Sequence, residues 1–255
     1  MNTEKDLILD VKDLVVRYET EDGIVRAVNG VSIQLERKKT LGLVGETGAG
    51  KTTTLKCVAG IQDYDAGAIR IGGKDLREDP LECKRMFAYL PDNPDVYEYL
   101  TGIQYLNFIA DVFRVPAGLR RERIQKYGDT FEITPSLGDL ISTYSHGMKQ
   151  KLAILSALVH RPRLLLLDEP FVGLDPKASV ILKDMMHEIC EDGGAILFST
   201  HVLDVAQRLC NKVAIIREGK LVTSGSMEQV LRQGDSLDGE KSLEDIFMEV
   251  AGDVG

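Results

Sequence analysis

The chain has 255 residues, of which 44% are hydrophobic and 28% are charged, and its formal net charge is −9. This composition excludes an intrinsically disordered chain, because burying so much apolar surface can offset the entropy lost on folding. No apolar run reaches the roughly 18–20 residues that a membrane-spanning helix needs, and the charged N-terminus is unlike a secretory leader. The acidic balance argues against a nucleic-acid partner, whose binding surface would be basic.

The first part of the chain reads as β structure. Alternating or β-rich runs predict short strands at 7–11, 14–18, 24–28 and 31–35. The run 40–44 is apolar throughout, which is typical of a strand covered on both faces. A glycine-rich turn follows it, and then a predicted helix over 52–59.

The chain changes character at about Pro91 and is predicted to be mainly helical as far as Pro162. Buried-type strands return at 164–167 and 195–198, with a helix between them and a hairpin centred on Gly219 after them. The sequence therefore predicts three parts. They are an α/β core formed by 1–91 and 161–225, a helical insertion at 92–160, and an acidic tail at 226–255.

Two features describe the rest of the composition. The predicted tail holds eight acids against two bases, a net charge of −6, and it reads as a separate appendage. The four cysteines are widely spaced and form no C-x-x-C pair, so neither a disulfide framework nor a zinc site is indicated. Reduced thiols fit a cytoplasmic protein.

A glycine-rich segment after the buried strand matches G-x-x-x-x-G-K-[ST]. Glycines let successive backbone N–H groups point at phosphate oxygens, at the positive end of a helix dipole. The motif predicts that Lys51 contacts the β- and γ-phosphates and that the hydroxyl of Thr52 binds Mg²⁺. The predicted phosphate cradle comprises Gly45, Glu46, Thr47, Gly48, Ala49, Gly50, Lys51, Thr52 and Thr53.

Two acids end the apolar run 164–167, at the strand end where α/β sheets bind ligands. Asp168 is predicted to hold Mg²⁺ through water, and Glu169 to polarise the attacking water. An acidic pair at a strand end can also be a helix cap or a solvated turn. The cradle upstream favours the catalytic interpretation. GTP is disfavoured, because the nearest match to N-K-x-D, at 211–214, lacks the aspartate.

With these motifs in order, the chain resembles the nucleotide-binding subunit of an ABC (ATP-binding cassette) transporter over residues 7–225. Tyr144-Ser145-His146-Gly147-Met148-Lys149-Gln150 stands where the family has its L-S-G-G-Q signature. Gly173-Leu174-Asp175-Pro176 resembles its D-loop, and Ser199-Thr200-His201 its switch histidine. The resemblance implies an α/β fold, a P-loop NTPase core with an antiparallel β subdomain and an α-helical insertion subdomain.

The resemblance also implies residue roles, each of which has a structural alternative. Tyr18 is expected to stack on adenine, although tyrosine is common in half-buried strands. Ser145 and Gly147 are expected at the nucleotide of a second subunit, but they could form a helix cap and turn. Asp175 of the D-loop is likewise expected at the nucleotide, but it could instead cap a helix whose first residue is proline. His201 is expected at the γ-phosphate, as a catalytic residue beside Glu169 and Lys51, and could instead be structural.

The function implied is ATP hydrolysis, with ATP and Mg²⁺ bound, in a homodimer or heterodimer of ATP-binding subunits. This dimer would drive a separate transmembrane permease from the cytoplasmic face of the membrane. The Y-L-P-[acid]-x-P and S-x-G-M-K-Q-K patterns resemble exporter-type cassettes. Asp92 stands where the family usually has a glutamine that links ATP to the transmembrane partner, so the resemblance implies that Asp92 lies at the nucleotide. The alternative function is that of an ABC ATPase acting on nucleic acid or ribosomes.

The apolar residues 100–113, beside Tyr97 and Tyr99, have two possible roles. They form either part of the core or a groove for a partner helix.

Overall fold

The computed structural model describes residues 6–21, 23–232 and 242–252. The strands are β1 (Leu7–Thr20), β2 (Gly23–Glu36), β3 (Thr40–Val44), β4 (Ala66–Ile71), β5 (Lys74–Asp75), β6 (Phe87–Leu90), β7 (Leu164–Asp168), β8 (Ala195–Thr200), β9 (Lys212–Arg217) and β10 (Lys220–Ser226). The helices are α1 (Lys51–Val58), α2 (Pro80–Lys84), α3 (Gly102–Val112), α4 (Ala117–Thr130), α5 (His146–Leu158), α6 (Pro176–Glu191), α7 (Leu203–Leu209), α8 (Met227–Arg232) and α9 (Leu243–Gly252). Within these ranges no helix is both long and apolar enough to span a bilayer.

The larger sheet has six strands in the order β10-β9-β3-β8-β7-β6. Strands β6, β7, β8, β3 and β9 pair in parallel, and β10 is antiparallel to β9. Every residue of β3, β7 and β8 is buried. The apolar runs of the sequence predicted this burial correctly, because a parallel sheet is covered on both faces. The carboxyl ends of the five parallel strands share one edge of the sheet.

The smaller sheet is antiparallel, in the order β2-β1-β4-β5. Strands β1 and β2 have 14 residues each, whereas the sequence predicted four short strands. The predicted breaks are irregularities of pairing within continuous strands, as between Val11 and Leu14, where Asp13 has a φ of 47°. A bulge interrupts the alternation of side chains without ending the strand. The sequence analysis also missed β4 and β6, which are short and lie among turns.

Helix α1 lies between the two sheets, and its buried residues Leu55, Cys57 and Val58 join one apolar cluster with both of them. A second cluster fills the other face of the larger sheet and contains residues of α3 to α7. The chain is therefore layered, with the smaller sheet, α1, the larger sheet and then helices. This arrangement places the first turn of α1 at the carboxyl edge of the parallel strands.

The helical insertion is attached to the larger sheet at the end of α5. The ring of His160 stacks on Phe113, which follows α3, with ring centroids 3.6 Å apart. Its Nε2 lies 3.3 Å from the carbonyl oxygen of Phe87, at the start of β6. Burial lowers the pKa of His160 to about 4, so the imidazole is neutral in this contact.

The predicted acidic tail begins inside β10 and continues into two helices that pack on the core. Val230 of α8 and Leu243 and Ile246 of α9 are buried, and the backbone N–H of Leu243 donates to Gln207 of α7 at 2.8 Å. The sequence analysis described this segment by its net charge alone and did not consider its apolar positions. In an amphipathic helix such positions lie three or four residues apart. Residues 233–241 and 253–255 of the predicted tail lie outside the described residues.

Candidate active site

The loop between β3 and α1 needs glycine at several positions. Gly48 and Gly50 have φ of 84° and 103°, in the left-handed region that favours glycine. A Cβ at Gly50 would lie 2.4 Å from the carbonyl oxygen of Ala27, and one at Gly45 would lie 2.3 Å from that of Ile216. The loop therefore packs tightly on neighbouring backbone, which fixes the direction of its N–H groups.

A turn that the sequence analysis treated only as a hairpin also supports this loop. The N–H of Gly219 donates to the carbonyl of Ala49 at 3.0 Å, and the carbonyl of Gly219 accepts from Asn29 at 2.7 Å. The β9–β10 turn thus connects the loop to β2. A sequence carries no signal for this contact, because it depends on which strands become neighbours.

Lys51 begins α1, and only 7% of its surface is exposed. Its ammonium group donates to the carbonyls of Gly45 and Glu46 at 2.7 and 3.0 Å, and it lies 3.9 Å from Oε1 of Glu169. Burial lowers the pKa of Lys51, while the negative charges of Glu169 and Asp168 act in the opposite direction. The ammonium group therefore lies against the backbone of the loop. Phosphate oxygens of a bound nucleotide could replace the two carbonyls as its hydrogen-bond acceptors.

Asp168 ends β7 and is fully buried. Its Oδ1 accepts hydrogen bonds from the hydroxyls of Thr52, at 3.1 Å, and Ser199. Its Oδ2 is buried without a hydrogen-bond partner among the described residues. An unpaired carboxylate oxygen beside a threonine hydroxyl suits Mg²⁺, which prefers oxygen ligands. The described residues contain no cluster of three or more His, Cys, Asp or Glu side chains that could hold a metal ion.

Glu169 follows in a strained conformation, with a φ of 46°. Its backbone N–H donates to Oγ of Ser199 at 3.1 Å, and its Oε1 lies 2.9 Å from Nδ1 of His201. Ser199 therefore holds both acids at once. The sequence analysis quoted Ser199 beside His201 but gave it no role, because the sequence does not show that β8 pairs with β7.

The residues matched to the family's signature and D-loop form a second group. Ser145 caps α5 by accepting from the N–H of Met148 at 3.3 Å. Asp175 caps α6 by accepting from Ala178 at 2.8 Å, and it pairs with Lys151 at 2.9 Å. These hydrogen bonds lower the pKa of Asp175. Both are the caps that the sequence allowed as alternatives, and a capped helix N-terminus can still bind an anion.

The remaining predicted residues are farther from these contacts. Gly147 adjoins the D-loop, since a Cβ there would lie 3.3 Å from the carbonyl oxygen of Gly173. Tyr18 is 41% exposed on β1, and its hydroxyl accepts a hydrogen bond from Gln62. Asp92 is exposed and accepts the N–H of Asn93 at 2.8 Å. In the described part of the chain, no hydrogen bond joins Tyr18, Asp92 or Ser145 to the phosphate loop, and their roles stay predictions.

The sequence model of the family described as "ABC transporter" matches residues 28–172, more than half of the chain. The chain belongs to the ABC transporter family. It is the ATP-binding subunit of a transporter system and an ATPase, as the resemblance predicted. The mixed α/β fold with an antiparallel and a largely parallel sheet confirms the predicted fold class.

Relatives match this ABC subunit along most of its length. It is 33% identical over 243 residues to the ABC-type transporter ATP-binding protein EcsA of Bacillus subtilis, covering 95% of this chain and 96% of EcsA. It is 30% identical to NatA of the same organism, covering 94% and 97%. A solved ATP-binding subunit of an ABC transporter matches with a TM-score of 0.89 and 34% identity, covering 96% and 99%.

A more distant structure shows the same fold. It is a dimeric ATP-binding cassette bound to ADP and Pi in a post-hydrolysis state. It matches with a TM-score of 0.78 and 19% identity, and the match covers 86% of this chain and 98% of that one. That dimer is a property of the other protein.

Proposed function

We propose that the subunit hydrolyses ATP as one half of a head-to-tail dimer, and that dimer closure drives a separate transmembrane permease that exports its substrate. The observation that carries the catalytic part is the hydrogen-bonded group formed by Thr52, Asp168, Ser199, Glu169 and His201 beside Lys51. A strand, a helix N-terminus and a second strand place these groups at one edge of the sheet.

On the phosphate side, the backbone N–H groups of the loop and the ammonium of Lys51 bind the β- and γ-phosphates. Thr52 and Asp168 would hold Mg²⁺, which neutralises charge on the transferred phosphoryl group. The buried location of Lys51 and Asp168 strengthens these electrostatic contacts, because the local dielectric is lower than that of water. Tyr18 supplies an exposed ring for adenine.

On the water side, Glu169 accepts the proton of the attacking water and His201 orients the carboxylate and the γ-phosphate. The Nδ1 of His201 donates to Oε1 of Glu169, at 2.9 Å, since a carboxylate can only accept. The left-handed backbone at Glu169 is strained, and its side chain contacts His201 and lies 3.9 Å from the ammonium of Lys51. Ser199 holds this backbone through the N–H of Glu169.

The dimer follows from the second group of residues. Ser145 and Asp175 are exposed. Among the described contacts, the side chain of Ser145 accepts from Met148, and that of Asp175 accepts from Ala178 and pairs with Lys151. The first turn of α5 directs positive helix-dipole charge outward. We therefore assign Ser145, Gly147 and Asp175 to the nucleotide of the opposing subunit. The dimeric fold relative supports this arrangement.

The permease would contact a patch of exposed aromatic and apolar residues on the helical insertion, namely Tyr97, Tyr99, Phe108 and Val112. The ring of Tyr97 lies 5.9 Å from that of Tyr99 and 5.7 Å from that of Phe108. Between the two tyrosines, Glu98 forms an ion pair with Lys149 of α5. A partner on this patch would therefore lie next to the helix that carries Ser145.

Export and location at the membrane rest on relatives. One relative, 30% identical over 78% of this chain, is named a linearmycin resistance ATP-binding protein. Removing a toxic compound from the cell is one basis of resistance, which supports export. The permease would hold the subunit at the cytoplasmic face of the membrane.

Site-directed crosslinking to the membrane protein that copurifies with the subunit tests the permease contact. Tyr97→Cys and Tyr99→Cys are introduced after Cys190, the cysteine that is only partly buried, is replaced. We expect crosslinks at both positions and none at Leu81→Cys, which is 72% exposed on α2. Crosslinks confined to Leu81→Cys, or to residues of the predicted acidic tail, would place the permease elsewhere.

A further inference from the structure

Tyr89 lies beside the metal-binding carboxylate. It is the third residue of β6 and pairs in register with Leu166 of β7. Both side chains pack into the cluster between the two sheets. Side chains two residues apart on a strand share a face, so Asp168 lies on the same side of the sheet as Tyr89 and Leu166. This is the side that faces α1 and Thr52.

Two buried oxygen atoms on this face lack hydrogen-bond partners among the described residues. One is the hydroxyl of Tyr89 and the other is Oδ2 of Asp168. Leaving a buried polar group unpaired destabilises the folded chain, because the group has lost its hydrogen bonds to water. A donor and an acceptor left unpaired on neighbouring strands are complementary, because each could satisfy the other.

The phenol is a donor over the whole physiological pH range. Burial raises the pKa of Tyr89, and the negative charges of Asp168 and Asp92 raise it further. A side-chain contact with Asp168 also raises the pKa of Tyr89, although no hydrogen bond of standard geometry joins the two groups among the described contacts.

We propose that Tyr89 is a positioning residue for the metal site, whose hydroxyl donates a hydrogen bond to Oδ2 of Asp168 as that carboxylate engages Mg²⁺. Tyr89 acts through Asp168 and does not touch the nucleotide. With Oδ1 held by Thr52 and Ser199, the added bond fixes the rotation of the carboxylate. This inference rests on the metal site of the proposed function.

The position of Asp92 gives the inference further weight. A glutamine there would bring an N–H donor, whereas an aspartate brings none. Tyr89 lies three residues earlier and places a protonated hydroxyl near both acids. The phenol thus supplies a hydrogen-bond donor near Asp168, which Asp92 cannot supply.

The test compares Tyr89→Phe with Tyr64→Phe. Tyr64 also has a buried hydroxyl without a partner among the described residues, but its ring lies against Arg77, away from Asp168. Mn²⁺ binding is titrated by electron paramagnetic resonance on the full chain with a non-hydrolysable ATP analogue. Affinity for ATP in EDTA and thermal unfolding are measured in parallel.

We expect Tyr89→Phe to weaken Mn²⁺ binding by about threefold to tenfold, the loss of one hydrogen bond. The affinity of Tyr89→Phe for ATP in EDTA should not change. Tyr64→Phe should match the wild type in Mn²⁺ binding and in ATP affinity. If Tyr89→Phe binds Mn²⁺ as the wild type does, or weakens metal-free ATP binding equally, this inference alone is overturned. If the wild type binds no Mn²⁺ with the analogue, the proposed metal site is wrong and the inference falls with it.

Discussion

The carboxyl edge of the larger sheet and the N-terminus of α5 hold their polar groups in different ways. At the sheet edge, Lys51 and Asp168 are 7% and 0% exposed, and each makes two hydrogen bonds inside the subunit. At α5, Ser145 is exposed, and its recorded side-chain hydrogen bond is the cap to Met148. A buried charge needs hydrogen-bond partners inside the subunit, because it has lost its contacts with water. An exposed group is solvated by water and remains available to a ligand or a second subunit.

The difference indicates which functions one subunit can perform alone. Groups that the fold has already desolvated and oriented are ready to bind phosphate in the monomer. The α5 terminus has a helix dipole and a free face, and it needs a ligand from outside. Substitutions in the first region should therefore change the properties of the monomer, and those in the second only the properties of the dimer.

The largest expected effect is at the sheet edge. Glu169→Gln keeps the shape of the side chain and removes the general base, so we expect turnover to fall 10²–10⁴-fold, roughly 3–5 kcal/mol of barrier. Nucleotide binding should persist, because Lys51 and Thr52 are unchanged. Phosphate release and ATP binding are measured on the same preparations. Glu132→Gln is the control, since Glu132 also has a positive φ, of 56°. If the turnover of Glu169→Gln is within tenfold of the wild type, Glu169 is not the general base.

The second effect concerns the attachment of the helical insertion to the sheet. His160 has its pKa lowered to about 4, against 6.5 in the unfolded chain. The unfolded state therefore binds more protons between these values, and the free energy of unfolding should fall by up to about 3 kcal/mol as pH drops from 6.5 to 4. Urea unfolding of His160→Gln should lose that part of the pH dependence.

His187→Gln is the matched control, since His187 is exposed on α6. Its pH profile should follow the wild type, because the carboxylates that also titrate in this range are unchanged. Parallel profiles for His160→Gln and the wild type would show that the stacked imidazole does not set the acid stability of the insertion.

In both regions the sequence predicted the features that depend on local contacts. Residues of the phosphate loop, Asp168 and Glu169 could be assigned because a local motif fixes backbone and chemistry together. The caps at Ser145 and Asp175 were equally local, and the structure contains both. Local hydrogen bonds depend on residues three or four apart, which a sequence displays directly.

Contacts between distant segments could not be predicted in this way. Ser199 holds two acids that lie 30 residues or more away in the chain, and Gly219 braces the loop at Ala49. Both depend on which strands become neighbours in the sheet. The two helices of the predicted tail were missed for another reason. The net charge of the whole segment does not show the few apolar side chains that pack on the core.

The third effect concerns Ser145 at the exposed N-terminus of α5. In the Glu169→Gln background, adding Ser145→Arg places a bulky cation at the N-terminus of α5. We expect ATP-dependent dimerisation to weaken by at least about thirtyfold, or about 2 kcal/mol, with ATP binding to the monomer unchanged. Size-exclusion chromatography with ATP and a nucleotide-binding assay measure the two quantities.

Two further variants make this result specific to the α5 terminus. Thr130→Arg, on the exposed side of α4, adds the same side chain elsewhere and should leave the dimer intact. Lys51→Ala should weaken monomer binding directly. A double variant that still dimerises with ATP would mean that α5 does not reach the opposing nucleotide.

The smallest effect is expected at Asp92, which follows β6. Its carboxylate is exposed and accepts the N–H of Asn93, and its negative charge contributes to the raised pKa of Tyr89. Asp92→Ala should lower turnover of the assembled transporter by about threefold to tenfold, at most about 1.4 kcal/mol, and leave ATP affinity within tenfold. Asp95→Ala removes an exposed acid three residues on and should change neither. Equal turnover in Asp92→Ala and the wild type would place Asp92 outside the catalytic site, and a larger loss of affinity would assign it to nucleotide binding.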